Sequence, residues 1–542
     1  MSALDDDLRS LAATIARAAL GFDELRPGQE EAAAAVLSHR DALVVMPTGA
    51  GKSAVYQIAG AAMTGATVVV SPLVALQHDQ VVSIGGDLGG ATQVNSVMSG
   101  RDRRGALDDV AHGRAKFVFL APEQLSNAQT MEAVAAARPA LFVVDEAHCI
   151  STWGHDFRPD YLLLGPTIDR LGHPQVLALT ATASPAVRDE IAERLGLHDP
   201  LTVLASVVRT NLSLRVETAA EADQALAALT DEAERLSGHG TGLVYVATRR
   251  RAEDLAAELT GRGCHALAYH AGLSGDERAR VHAAFLGEDP VTVVATNAFG
   301  MGIDAPHVRF VVHAGAPESL DAYYQEVGRA GREGGAADAV LFRAREGDSE
   351  RRLPAAAPEA DPALLLTLAH HIAGHPGTSV DEAADAAGVS TRKAVTACDE
   401  LRRVGAVAYS GEGLEWVPDA DRADAVRRAV EAQERQRAAD RSRAEMMQRY
   451  LETTSCRWRF LAAYFAQPVT EDCGTCDNCR SGRNEEPAAG PFPATTRVRH
   501  GEFGSGTVIS GDADTVTILF DDVGYRTLSV SLVEENGLLE KE

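Results

Sequence analysis

Short, unbroken apolar runs punctuate the chain from Leu8 to Leu204. Ala42-Leu43-Val44-Val45, Val68-Val69-Val70 and Leu141-Phe142-Val143-Val144 are separated by alanine-rich stretches of helical character. Runs with no polar alternation are buried on both faces, which points to a parallel sheet flanked by helices. The rhythm then repeats with Gly242-Leu243-Val244-Tyr245-Val246, Val291-Thr292-Val293-Val294-Ala295 and Arg309-Phe310-Val311-Val312, ending near Phe342. Two α/β domains in tandem are predicted.

Past Phe342 the pattern changes. Arg351 to Pro362 is rich in Ala, Pro and Glu and has the composition of a linker. Ser379 to Val404 predicts a helix-turn-helix: Ala383 to Ala387 is helical, Gly388-Val389-Ser390 turns, and Thr391 to Arg403 forms the second helix. Ala406 to Val417 supplies a wing. An arginine-rich helix follows from Asp421 to Tyr450, a second linker from Glu485 to Ala494, and then a small β-barrel. Its strands include Thr507-Val508-Ile509, Val516-Thr517-Ile518-Leu519-Phe520 and Thr527-Leu528-Ser529-Val530.

At 542 residues the chain exceeds what one core organises, and 45% hydrophobic with 24% charged residues is ordinary for globular domains. Its formal charge of −26 excludes bulk electrostatic coating of nucleic acid, so any strand path must be locally basic. MSALDDDLRS is acidic where a secretory leader is basic, and no uncharged apolar run approaches about eighteen residues. The expected location is cytoplasmic, with no membrane contact.

Three stretches carry nucleotide chemistry. In Met46-Pro47-Thr48-Gly49-Ala50-Gly51-Lys52-Ser53, Gly49 and Gly51 bring backbone N–H groups close to phosphates. Thr48 belongs to the same loop, Lys52 reaches the β/γ oxygens, and Ser53 ligates Mg²⁺. Asp145-Glu146 ends an apolar strand, which suits a metal-holding carboxylate followed by one that polarises the attacking water. Gln325-Glu326-Val327-Gly328-Arg329-Ala330-Gly331-Arg332 closes the second α/β domain and offers Arg329 and Arg332 to a γ-phosphate. Hydrolysis that needs both domains would couple cleft closure to movement along a strand.

Of seven cysteines, Cys149, Cys264 and Cys398 are scattered, whereas Cys456 is followed by sixteen residues and then by Cys473, Cys476 and Cys479 at two-residue gaps. That spacing suits four thiolates on tetrahedral Zn²⁺ in a reducing compartment.

Together these motifs resemble the RecQ family of superfamily 2 DNA helicases over most of residues 8 to 345 and the zinc segment. The resemblance implies two RecA-like motor domains, ATP as substrate with Mg²⁺, and 3′-to-5′ unwinding of DNA in recombination or repair. Met46 stands where the strict phosphate loop has glycine, a departure that superfamily 2 shares. Leu25-Arg26-Pro27-Gly28-Gln29 resembles the adenine-reading motif, with Gln29 on the base edge and Arg26 and Phe22 against the ring; the family usually has tyrosine where Phe22 stands. Ser71 to Leu76 and Ala121 to Glu123 resemble strand-contacting motifs, and Ala178 to Ala183 a coupling motif. Thr296 to Asp304 is similar to the segment that links nucleotide and nucleic acid.

His148-Cys149-Ile150-Ser151-Thr152-Trp153-Gly154-His155-Asp156-Phe157-Arg158-Pro159-Asp160-Tyr161 matches the family's aromatic-rich loop. There Trp153 and Phe157 offer flat faces to bases, Arg158 a cation, and His155 a further base or relay contact.

The resulting organisation is a motor domain over 1–205, a second over 206–347, and a linker with a winged-helix-like domain over 348–420. A helical zinc module over 421–485, a linker over 486–496 and a barrel over 497–542 complete it. The family usually places the zinc module directly after the motor; here the winged-helix-like segment comes first. Its Arg392, Lys393, Arg402 and Arg403 suit phosphate contacts. Val498 to Val508 resembles the Tudor-like tail of UvrD/PcrA helicases, which implies RNA polymerase or a repair factor as partner. A monomeric motor on single-stranded and duplex DNA is expected. An RNA helicase or remodelling translocase and a DNA-bound adaptor with a residual motor are competing readings. The aromatic loop and Gln325-Glu326 resemble RecQ more than RNA helicases, and intact Lys52, Asp145, Glu146, Arg329 and Arg332 count against the adaptor.

Overall fold

The computed structural model describes residues 3–542 apart from 73, 85–87, 96–97, 152–155, 298, 300–304, 346–360, 411–412, 419, 483–489 and 522. The chain divides into two units. Met1–Val45, Ser53–Leu204 and Ala355–Ala439 form the first, and Met46–Lys52, Ala205–Pro354 and Asp440–Glu542 the second.

The first unit is built on β1 (Ala42–Val45), β2 (Thr67–Val70), β3 (Ala91–Val94), β4 (Phe117–Leu120), β5 (Leu141–Val144), β6 (Gln175–Thr180) and β7 (Leu201–Leu204). They pair in the order β3-β4-β2-β5-β6-β1-β7, every neighbour parallel. β1, β2, β4 and β5 are buried along their whole length, as their unbroken apolar runs require. Val45, Val70, Leu120, Phe142, Val144, Tyr161, Ala178 and Ile191 pack into one core. Because the strands are parallel, β1 and β5 end at the same edge, where ligands of open α/β sheets bind.

In the second unit β8 (Leu212–Ala219), β9 (Gly242–Tyr245), β10 (Ala266–Tyr269), β11 (Thr292–Ala295), β12 (Phe310–His313) and β13 (Ala337–Ala344) form another all-parallel sheet. Its order is β10-β11-β9-β12-β13-β8. Leu229, Val244, Leu255, Val294, Phe310 and Val340 fill its core.

The helix-turn-helix and wing lie in the first unit. Helix Val380–Ala387 opens on a capping box between Ser379 and Glu382 and ends at Gly388, whose φ of 66° is the left-handed conformation that glycine adopts freely. Ser390 accepts from Lys393 N to start helix Thr391–Arg403, and β14 (Val407–Ser410) pairs antiparallel with β15 (Gly413–Trp416). Helix Pro362–Gly374 shares their core through Leu365, Leu368 and Ile372.

In the second unit, Cys456 precedes helix Arg457–Tyr464, Cys476 precedes the turn Asp477–Arg480, Cys479 lies within that turn and Cys473 in the loop between. The C-terminal segment folds as β16 (Arg497–His500), β17 (Gly504–Gly511), β18 (Thr515–Phe520), β19 (Gly524–Ser529) and β20 (Leu539–Lys541), antiparallel in the order β19-β18-β17-β16-β20. Among the described residues no pairing joins β19 to β20, so the sheet is open where a closed barrel is expected. It sits on the zinc region: the Tyr525 ring stacks on Tyr464 at 4.8 Å, and Arg449 Nη1 donates to Thr517 Oγ1 at 2.8 Å.

Candidate functional site

β1 runs into Met46 and the phosphate loop, and helix Lys52–Ala62 leaves it. Gly49 and Gly51 both take φ near +80°, which lets consecutive N–H groups turn inward at no steric cost. The Lys52 ammonium lies 3.4 Å from the Met46 carbonyl, folded over the loop that it would serve. Within the second unit, which includes this loop, a Cβ on Gly49 would fall 2.6 Å from Arg332 Cγ, and one on Gly328 would fall 3.4 Å from Thr48 Cβ. Gly49 therefore leaves the room that the Arg332 stem occupies, whereas Gly328 meets Thr48 only at ordinary contact distance. Ser53, the expected magnesium ligand, is the second residue of the helix that leaves the loop.

Arg329 is buried and lies beside Tyr245, whose hydroxyl is pushed by burial up to about 12 against the pull of that guanidinium. Tyr245 therefore stays protonated and donates to the Phe299 carbonyl at 2.9 Å. Gln325 is half-buried on helix Leu320–Val327, and its neighbour Glu326 is held by His313 Nε2 at 2.8 Å. Two residues not singled out in the sequence brace this turn. Arg209 donates to the carbonyls of Gly328 and Gly331 at 3.0 and 2.6 Å, and Asn211 Nδ2 to those of Gly331 and Gly335 at 2.8 and 2.9 Å.

At the end of β5, Asp145 Oδ2 accepts from Ser71 Oγ at 3.3 Å and Oδ1 from the Glu146 N–H at 3.0 Å. Glu146 takes φ 48°, a left-handed conformation unusual for glutamate, and this aims the two carboxylates differently. Its Oε2 lies 3.3 Å from His148 Nδ1, which is also 3.0 Å from Thr180 Oγ1. The Thr180 hydroxyl in turn donates to Thr182 O at 2.9 Å, so His148 links the Glu146 carboxylate to the expected coupling motif. Tyr161, fully buried and therefore held well above its ordinary pKa, donates its proton to the Asp145 carbonyl at 2.8 Å.

The residues expected to read adenine are divided by exposure: Phe22 and Arg26 are exposed, while Gln29 is buried with its Oε1 accepting the Arg26 N–H at 2.8 Å. Gln29 Nε2 is thereby oriented as the donor end. In the aromatic-rich loop, Arg158 makes an ion pair with Asp156 through Nε and Nη2 at 3.1 and 3.0 Å, and Phe157 lies under the Arg403 guanidinium at 4.5 Å. Trp153, His155 and Asp304 lie outside the described residues.

The four thiols of Cys456, Cys473, Cys476 and Cys479 converge, with every pair of sulfurs within 4.8 Å. Cys476 and Cys479 Sγ are 3.3 Å apart and Cys473 and Cys479 Sγ 3.7 Å, close to the separation of about 3.8 Å that tetrahedral Zn–S bonds of about 2.3 Å impose. The backbone N–H groups of Cys473, Thr475 and Cys476 point at sulfur at 3.3 to 3.4 Å, as thiolates require. These residues fit zinc. Around them Arg457 holds Asp477 through bonds of 2.6 and 2.9 Å, Asp477 accepts from Val216 N at 3.0 Å, and Trp458 Nε1 donates to Leu212 O at 3.0 Å. The module is thus anchored along β8. Asp41, His173 and His198 also cluster. There, however, the Asp41 oxygens accept the Val176 and His198 N–H groups at 2.8 Å and the imidazoles stack face to face at 4.1 Å, which is a structural tie at the base of β1 and β6.

Residues 26–191 match the DEAD/DEAH box helicase model, 224–334 the helicase conserved C-terminal domain, and 419–480 the RecQ zinc-binding model. The chain is 40% identical over 333 residues to the probable ATP-dependent DNA helicase RecS of Bacillus subtilis, a match covering 61% of this chain and 66% of the relative. It is 38% identical to the ATP-dependent DNA helicase RecQ of Pasteurella multocida, covering 62% and 52%. The chain thus spans between half and just under two thirds of these relatives' length. Among solved structures, the Mycobacterium smegmatis helicase Lhr bound to ssDNA and AMP-PNP shares the fold at TM-score 0.51 and 22% identity, covering 81% of this chain and 61% of that one. MrfA bound to DNA does so at 0.52 and 19%, covering 78% and 60%.

Proposed function

Since the chain belongs to the RecQ family of superfamily 2 helicases, we propose that it is an ATP-dependent DNA helicase that moves 3′ to 5′ along single-stranded DNA and unwinds duplexes in recombination or repair. The observation that carries this reading is the seating of the aromatic-rich loop against the end of β5, with the Tyr161 hydroxyl on the Asp145 backbone carbonyl. A strand that touches the loop thereby acts on the backbone of the residue whose side chain would hold the metal.

In this reading Phe22, Arg26 and Gln29 select the adenine, the N–H groups around Gly49 and Gly51 cradle the phosphates, and Lys52 neutralises the β/γ oxygens. Ser53 and Asp145 would hold magnesium, which would supply charge to stabilise the leaving phosphate. Glu146, kept in place by His148, orients the attacking water and receives its proton. Arg329 and Arg332 stabilise charge developing on the γ-phosphoryl. The zinc module is structural.

The terminal sheet, residues 497–541, is read as a docking module for RNA polymerase or a repair factor. Pull-down of RNA polymerase that survives its deletion would discard that part. No described helix is long and apolar enough to cross a membrane; the motor is proposed to act as a cytoplasmic monomer.

The test is the ATPase rate with no nucleic acid, with single-stranded DNA and with RNA, beside unwinding of a 3′-tailed duplex, with Lys52→Ala as control. DNA-stimulated, Lys52-dependent hydrolysis with strand separation is expected. Preferential stimulation by RNA, or hydrolysis without unwinding, would replace the reading with an RNA helicase or a translocase.

A further inference from the structure

The end of the winged-helix segment's second helix is turned toward the aromatic-rich loop, within the first unit. Arg402 Nη2 lies 2.5 Å from Asp160 Oδ1, and its other arm is 3.5 Å from Asp399. Arg403, the last residue of the helix, places its guanidinium 4.5 Å over the Phe157 ring. Its nearest recorded carboxylate, Glu400, is 3.9 Å away, and its buried Nε has no hydrogen-bond partner. The ring therefore contributes much of what holds Arg403. The helix end is fixed from behind, because Arg428 Nη1 donates to the Val404 carbonyl at 3.0 Å.

We propose that the winged-helix segment latches the strand-sensing loop: Arg402 and Arg403 hold Asp160 and Phe157, and a single-stranded nucleic acid must lift Arg403 off Phe157 before hydrolysis rises. A base that stacks on Phe157 and the guanidinium compete for the same face. Base stacking is the stronger of the two interactions when the cation–π contact is partly hydrated. Once displaced, Arg403 is free to meet a phosphate, so the strand that opens the latch also holds it open. A cleft of about 850 Å³ lined by Pro159, Asp160, Arg402, Arg403, Arg428 and Arg435 gives it the room to swing. Asp160 and Tyr161 share the short turn Pro159–Leu163, which Phe157 precedes by two residues, and the Tyr161 hydroxyl reaches the Asp145 backbone carbonyl, so movement at the ring is carried to the end of β5 within four residues.

The inference rests on the helicase reading, and its test separates the two. In the full chain, Arg402→Ala with Arg403→Ala is compared with Arg403→Lys, which keeps the cation. Hydrogen exchange over residues 147–163 and the ATPase rate are followed, each without nucleic acid. The double variant is expected to exchange faster in the loop and to hydrolyse ATP about two- to fivefold faster without a strand, the factor carried by one partly exposed cation–π contact. Arg403→Lys should stay near wild type. Strand-stimulated wild-type hydrolysis with an unchanged strand-free rate in the double variant overturns the latch alone. A wild-type enzyme that no strand stimulates overturns the helicase reading and the latch with it.

Discussion

His148 Nδ1 lies 3.0 Å from the Thr180 hydroxyl, and the same nitrogen faces Glu146 Oε2 at 3.3 Å. This places one imidazole between the carboxylate proposed to orient the water and the segment expected to couple the two halves of the motor. Thr180→Val removes the hydroxyl while keeping shape, so His148 loses the partner that fixes its ring. Strand-stimulated kcat is expected to fall about ten- to a hundredfold, the range for misplacing a catalytic group, with ATP affinity unchanged. Thr180→Ser should restore it. Steady-state kinetics beside fluorescent-nucleotide binding distinguishes this from loss of fold; a parallel loss of binding would sink the coupling role.

Gly49 takes φ +80° with Arg332 Cγ 2.6 Å from where a Cβ would sit. Gly49→Ala therefore strains the backbone by about 1–2 kcal/mol and pushes the Arg332 stem aside. Nucleotide binding is expected to weaken modestly, whereas kcat should drop much further, because a displaced arginine is missed only in the transition state. Equal losses in both would argue that Arg332 serves binding rather than hydrolysis.

The division between what was legible in the sequence and what was not follows from range. Lys52, Asp145 and the cysteines were readable because each motif is local: an apolar strand, a turn of fixed chemistry, a helix. β1, β2 and β5 were readable because both faces are buried and their residues are uniformly apolar. β8 was not, because its outer half is exposed and reads Arg215-Val216-Glu217-Thr218, with no continuous run to mark it. Arg209 and Asn211 escaped notice for a different reason: their partners lie about 120 residues away, as the separation of 119 between Arg209 and Gly328 illustrates. Arg403 was read as a phosphate contact; only the fold shows it resting on Phe157.

Arg209 gives the third prediction. Its two bonds satisfy the carbonyls of Gly328 and Gly331 on either side of Arg329. Arg209→Ala removes this donor from the Gly328 carbonyl, at a cost of about 1–3 kcal/mol where water cannot replace it, while the Gly331 carbonyl keeps Asn211. A lower Tm is expected together with a kcat loss at nearly constant KM for ATP, since the turn that presents Arg329 and Arg332 loosens. Normal kcat in a folded, destabilised variant would restrict Arg209 to a structural role.

Removal of zinc should act through β8 rather than through the nucleotide loop. The cysteine turn delivers Asp477 to Val216 N and Arg457, and helix Arg457–Tyr464 delivers Trp458, buried to 1% exposure, to the Leu212 carbonyl. Arg457 is itself almost fully buried, so unfolding the turn strands its charge, and breaking a buried pair of this kind costs about 3–5 kcal/mol. Chelation, or Cys479→Ser, is therefore expected to lower Tm by several degrees and to change Trp458 fluorescence. ATP binding, which rests on the loop around Lys52 and on Phe22, Arg26 and Gln29 rather than on the cysteine turn, should persist at temperatures below the new transition. Arg457→Ala should reproduce the loss of stability with four thiols still able to take up zinc, measurable as one bound metal per chain. If chelation abolished ATP binding in protein that remained folded, the module would have a role in the nucleotide site that none of these contacts provides.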